Sequence, residues 1–98
     1  IPESRWGFAL YTEMGRLQAA KGECKESERY FLHALEDRSE QNVSKTVLDL
    51  MVLYGACFHD MAKAKHYLNR YTSYPLPEYE RERAFAIAKQ FHIELDSP

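Results

Sequence analysis

His59, Asp60 and His66 are the residues whose types and spacing come nearest to a metal site or a general base. Imidazole binds cations or moves protons near neutral pH, and an aspartate beside it could complete a ligand set. The step from His59 to His66 covers about two helical turns, however, and no HExxH pattern or cysteine pair accompanies it. These histidines therefore read as surface or capping residues, and no metal is expected. Cys57 precedes His59 by two residues, yet sequence neighbours need not face each other, and no third group orients them as nucleophile and base. Cys24 and Cys57 read as separate buried thiols. Glu26 and Glu28 alternate with Lys25 and Arg29, and Glu78, Glu80 and Glu82 with Arg81 and Arg83, as on a solvated helix surface. No glycine-rich phosphate loop, Gly-x-Ser-x-Gly elbow or paired-cysteine motif occurs. No enzyme and no cofactor are expected.

What must position side chains here is one small domain of 98 residues, 45% hydrophobic and 29% charged. Thirteen basic and fifteen acidic residues give a net charge of -2, which supplies no basic surface for nucleic acid. No apolar run approaches the roughly 20 residues of a membrane-spanning helix, so no membrane insertion is expected. The N-terminus lacks the basic-then-apolar form of a signal peptide. It begins at Ile1 without Met, which suggests a piece of a longer chain. Two cysteines are too few and too scattered for a disulfide scaffold, and they favour a reducing, cytoplasmic setting.

Helical periodicity dominates. Helix one is expected after a Ser4 cap, with Trp6, Leu10, Met14 and Leu17 on one face, and it closes at Gly22, where a residue without Cβ can turn left-handed. Helix two runs from Lys25 to about Asp37 with Ser27, Tyr30, Phe31, Ala34 and Leu35 inward. The polar segment from Arg38 to Asn42 reads as a loop, with Asn42 or Ser44 capping helix three. That helix continues to Phe58 and is apolar nearly all round, so it should be covered on more than one side. Asp60 caps helix four, whose stripe is Met61, Ala64, Tyr67, Leu68 and Tyr71. Pro75 and Pro77 stop it. Helix five starts near Glu78 and buries Ala84, Ile87, Ala88, Phe91 and Leu95.

The chain also overlays on itself. A shift of 37 residues carries Tyr11 onto Leu48, Met14 onto Met51, Ser27 onto Ala64, Tyr30 onto Tyr67 and Phe31 onto Leu68. Applied again, it carries Val47, Leu50, Met51 and Tyr54 onto Ala84, Ile87, Ala88 and Phe91. Ser97 then stands where Asp60 opened helix four. One domain over 1–98 thus divides into a first unit at 4–37, a second at 43–73, and a half-unit or capping helix at 78–95.

Tyr11, Met14-Gly15, Gly22, Ser27, Phe31 and Ala34 give the first unit a pattern that resembles the tetratricopeptide repeats. The second unit matches at Met51, Ala64 and Leu68 and departs at Val52 and Tyr71, and the period exceeds the family's usual length of about 34. The resemblance implies an all-α, right-handed solenoid of antiparallel helix-turn-helix repeats: two helical pairs and a C-terminal capping helix. It also implies a concave groove holding a peptide or helix of a protein partner. Carried over residue by residue, that groove comprises Ala9, Thr12, Arg16, Ala19 and Ala20 from helix one. Helix three adds Thr46, Asp49, Leu53, Ala56 and Cys57. The family's clamp for a terminal carboxylate is not reproduced, because Arg16 is the one cation among them. Tyrosine's large area and polar tip suit interfaces, which makes Tyr74 and Tyr79 secondary contact candidates. Trp6 and Phe85, at the ends of the stack, are candidates for contact with neighbouring repeats or for self-association. The expected role is a protein–protein interaction module of a scaffold or adaptor. The alternatives are a structural segment of a longer array and a ligand-sensing domain of a regulator.

Overall fold

In the computed structural model, residues 1–37 and 39–93 are described, the Glu40 side chain apart, and all their regular structure is helical. Arg38, Leu95 and Ser97 lie outside them, as does the rest of the tail. The first turn is a short 3-10 segment, Glu3–Arg5, and helix α1 (Phe8–Ala20) starts only after Gly7. Ser4 therefore sits inside the 3-10 segment and is not the cap of α1. Tertiary contacts explain the delay: Glu3 takes both arms of Arg29 at 2.9 and 3.2 Å, and Trp6 lies against Tyr11 and Tyr30 with ring centroids 5.4 and 5.5 Å apart. These bonds fold the N-terminal residues across α2 instead of extending α1 backward.

Gly22 closes α1 with φ +78, and its amide donates to the Ala19 carbonyl at 3.0 Å. Helix α2 (Cys24–Ala34) returns beside α1 in the most extensive helix pairing among the described residues. Two small residues make this approach: a Cβ on Gly15 would stand 2.6 Å from Phe31 Cε1, and Ser27 Oγ donates to the Gly15 carbonyl at 2.7 Å. Helix α3 (Glu40–Val52) begins earlier than its composition suggests, because Ser39 is the cap and accepts from the Asn42 amide at 3.3 Å. Asp37 holds that cap by accepting from the Ser39 amide at 2.9 Å. Asn42 and Ser44 thus lie within the first turns, where Ser44 donates to the Gln41 carbonyl.

The helix does not run uniformly to Phe58. Residues Leu53–Cys57 form a π-helical turn, in which the Phe58 amide reaches back to the Leu53 carbonyl. His59 then turns left-handed at φ 54, and Asp60 caps helix α4 (Met61–Thr72) by accepting from the Lys63 amide at 3.1 Å. Helix α5 (Glu78–Gln90) ends well before residue 95. His92 at φ 60 reverses the chain, and Ile93 is buried against the π turn, where a Cβ on Gly55 would stand 2.5 Å from Ile93 Cδ1.

Helix α3 lies at the centre of the fold, in contact with α1, α2, α4 and α5, and its Val47, Leu50 and Met51 are fully buried. Shifted by 37 residues, the span of α2 falls on 61–71, against Met61–Thr72 observed, and left-handed Gly22 falls on left-handed His59. Burial differs at the outer face of α1. Leu17, expected inward, is 47% exposed, whereas its shifted counterpart Tyr54 is buried. Tyr54 has α2 ahead of it and donates to Glu28 Oε2 at 2.6 Å, and no helix among the described residues stands in that place before α1.

Candidate functional site: a groove between helices α1, α3 and α5

Two adjoining cavities lie along α1 and α3. The first, about 570 Å³, is bounded by Ala19 and Ala20 of α1, by Gly22, Cys24 and Phe31, and by Val52, Leu53, Ala56 and Cys57. The second, about 490 Å³, is bounded by Phe8, Ala9, Thr12 and Glu13 of α1, by Lys45, Leu48 and Val52 of α3, and by Arg83 and Ile87 of α5. Arg16 and Asp49 line both. They meet across the groove, Arg16 Nη2 donating to Asp49 Oδ2 at 3.0 Å and Nε to Oδ1 at 3.4 Å. This fork-on-carboxylate geometry is directional as well as attractive, so the pair acts as a crossbar between the two chambers.

The electrostatics of the crossbar are unequal. The Arg16 side chain is 53% exposed and the Asp49 side chain 20%. Burial pushes the Asp49 carboxyl above its ordinary value, opposed by the hydrogen bonds and charge of Arg16. Removing water strengthens the pair but also disfavours the ionised carboxylate. Lys45 and Arg83 stand exposed in the second chamber. The first chamber is walled mainly by small and apolar groups.

Ala9, Thr12, Arg16, Ala19, Asp49, Leu53 and Ala56 therefore all face one groove. The Thr12 hydroxyl donates to the Phe8 carbonyl at 2.9 Å. Thr46 does not belong with them: it is fully buried, lines neither chamber, and donates to the Asn42 carbonyl at 3.0 Å. Its neighbours Lys45 and Leu48 take the groove position instead. The α5 contribution, Arg83 and Ile87, has no signal in a reading confined to helices one and three.

The cysteines are where sequence reasoning fails. Cys24 and Cys57 are joined by a disulfide, with Cα atoms 5.8 Å apart, and are not separate buried thiols. Their separation of 33 residues gives no hint of this. Stacking one hairpin on the next brings the end of the π turn beside the start of α2, and both half-buried cysteines line the first chamber.

The secondary candidates divide. Trp6 is engaged internally, its indole N–H donating to the Ile1 carbonyl at 3.0 Å besides its ring contacts. Tyr74 accepts from Arg70 Nε at 3.1 Å, and its carbonyl accepts from Arg81 at 3.0 Å. Tyr79 and Phe85 are exposed at 69% and 42%. His59 and His66 are exposed, and among the described residues no three His, Cys, Asp or Glu side chains are grouped as a metal ion would need. No helix of the described residues is long and apolar enough to cross a membrane. In comparison with known proteins, no family model, no curated protein and no solved structure matches the chain.

Proposed function

We propose that this protein is a binding module of tetratricopeptide-like build, taking a peptide or helix of a protein partner along the groove between α1, α3 and α5. The observation that carries the reading is the convergence of seven groove candidates on two joined chambers bridged by Arg16 and Asp49. A ligand lying along the groove would meet an apolar chamber at one end and a chamber with exposed Lys45 and Arg83 at the other. Small, preformed and partly apolar surfaces with a few fixed polar groups suit recognition without chemistry. The resemblance in residues 8–37 supports the same solenoid reading. The disulfide favours a setting in which thiols can pair over the reducing cytoplasmic one that scattered cysteines suggest.

Selection from a phage-displayed peptide library against the oxidised protein tests this. Selected peptides should lose at least tenfold in affinity on Arg16→Glu, which removes the crossbar, and on Ala20→Trp, which fills the first chamber from an exposed position. Tyr79→Ala, at a residue that lines neither chamber, should leave them unchanged. Loss on Tyr79→Ala or Phe85→Ala with the groove variants unaffected would move the site to the end of the stack and favour a structural role.

A further inference from the structure

The disulfide connects parts that the repeat itself does not connect. Cys24 is the first residue of α2, in the first hairpin, and Cys57 is the last residue of the π turn, in the second. Shifted by 37 residues, Cys24 corresponds to Met61 and Ala20 to Cys57, so neither unit carries a cysteine where the other does. The bond is additional to the packing that builds the stack. That packing has its own ties between hairpins, the Arg16–Asp49 crossbar and the Tyr54–Glu28 hydrogen bond. The sulfurs add a third tie, at the end of the first chamber.

Three observations converge at that end. Both cysteines line an open cavity and are half-buried, so a small thiol can reach them. The turn before Cys24 contains Gly22, around which a Cβ would find open space, so the turn beside this sulfur is not packed over. The residues before Cys57 are in the π turn, whose Leu53 and Ala56 form the chamber wall. A π turn is a local irregularity in an α-helix that often marks a functional position.

We infer that the Cys24–Cys57 bond is a reversible redox latch on the first chamber, closed when oxidised and released by a dithiol reductant. The reductant's thiolate attacks one sulfur, giving a mixed disulfide and expelling the other cysteine as a thiolate that takes up a proton. The reductant's second thiol then displaces the first cysteine, so two electrons and two protons pass to Cys24 and Cys57 and the reductant leaves as a disulfide. The reduced Cys24 thiol has an acceptor at hand, since its sulfur lies 3.6 Å from the Gly22 carbonyl oxygen. Release frees the Cys57 end of the π turn from the first residue of α2 and widens the chamber there, while the Tyr54–Glu28 bond and the core around Val47, Leu50 and Met51 stay in place.

The latch concerns the same groove as the binding proposal, but its test reads the groove walls and needs no ligand, so the two ideas fail separately. Wild-type protein is equilibrated in glutathione buffers from oxidising to reducing, each carrying a small dithiol that performs the exchange, and hydrogen exchange is followed amide by amide. On reduction, amides from Leu53 to His59 should exchange at least tenfold faster, with those of α4 and α5 unchanged. Hydroxyl-radical footprinting of the Cys24→Ser/Cys57→Ser variant, compared with oxidised wild type, should show Leu53 modified severalfold more. A bond that no glutathione ratio reduces, unchanged exchange after reduction with dithiothreitol, or acceleration spread evenly over all five helices would each overturn the latch in favour of a fixed staple.

Discussion

Asp49 shows how one side chain can be both a tie and a burden. Its folded pKa lies above its unfolded one because burial outweighs the pull of Arg16. The folded chain thus holds that proton more tightly. Asp49's contribution to stability is greatest at low pH and is lost as pH rises through the ordinary carboxylate value to the raised one. Glu3 behaves oppositely, because its hydrogen bonds to Arg29 hold it below its ordinary value. Its contribution is present above the unfolded value and lost as pH falls through the folded one. In urea titrations from about pH 4 to about pH 6, around and above the ordinary aspartate value, Asp49→Asn should gain on wild type as pH rises. A constant difference would show that the ionised carboxylate is not disfavoured in the fold. At this scale Arg16 and Asp49 were legible as groove residues, since helical spacing sets their faces. Their pairing was not, because spacing within a helix carries no information about the distance between helices.

Helix ends and close approaches depend on local signals, and these were read unevenly. Gly22 and Asp60 mark their turns unambiguously, one by lacking Cβ and the other by its acceptor. The sequence does not single out Ser39, because Asn42 and Ser44 cap equally well in isolation; the link to Asp37 does. The premature end of α5 was hidden because histidine, although enriched at positive φ, also sits within helices and so marks a stop far less sharply than glycine or proline. The hairpin approach at Gly15 leads to a comparison. Gly15→Ala would press a methyl onto Phe31, an almost fully buried ring, whereas Gly55→Ala meets the flexible end of Ile93. Overpacking of the first kind should cost about 1–2 kcal/mol net of the better helix propensity of alanine. The second variant should lose less. Urea unfolding of both checks the order, and equal losses would show that Phe31 moves aside freely.

Across the whole molecule the helices form a slab of 46 × 28 × 18 Å whose 13.3 Å radius of gyration matches the roughly 13 Å of a compact chain this long. An all-helical fold was legible because periodicity, caps and proline breaks agree along the chain. The disulfide was not, since it depends on how hairpins stack. Closing a loop of 33 residues restricts the unfolded chain by about 3–4 kcal/mol. Reduced protein should therefore unfold at a lower urea concentration while keeping its far-ultraviolet helix signal in buffer, and a loss below about 1 kcal/mol would show that the link barely constrains the unfolded state. The π turn carries a last consequence, one of phase. An α-helix advances about 100° per residue, so the azimuth of Cys57 is set by how many residues the turn between Leu53 and Cys57 contains. Straightening this turn into regular α-helix would leave the helix intact in length and composition yet rotate the sulfur away from Cys24. The pitch of one turn decides whether two hairpins are covalently one.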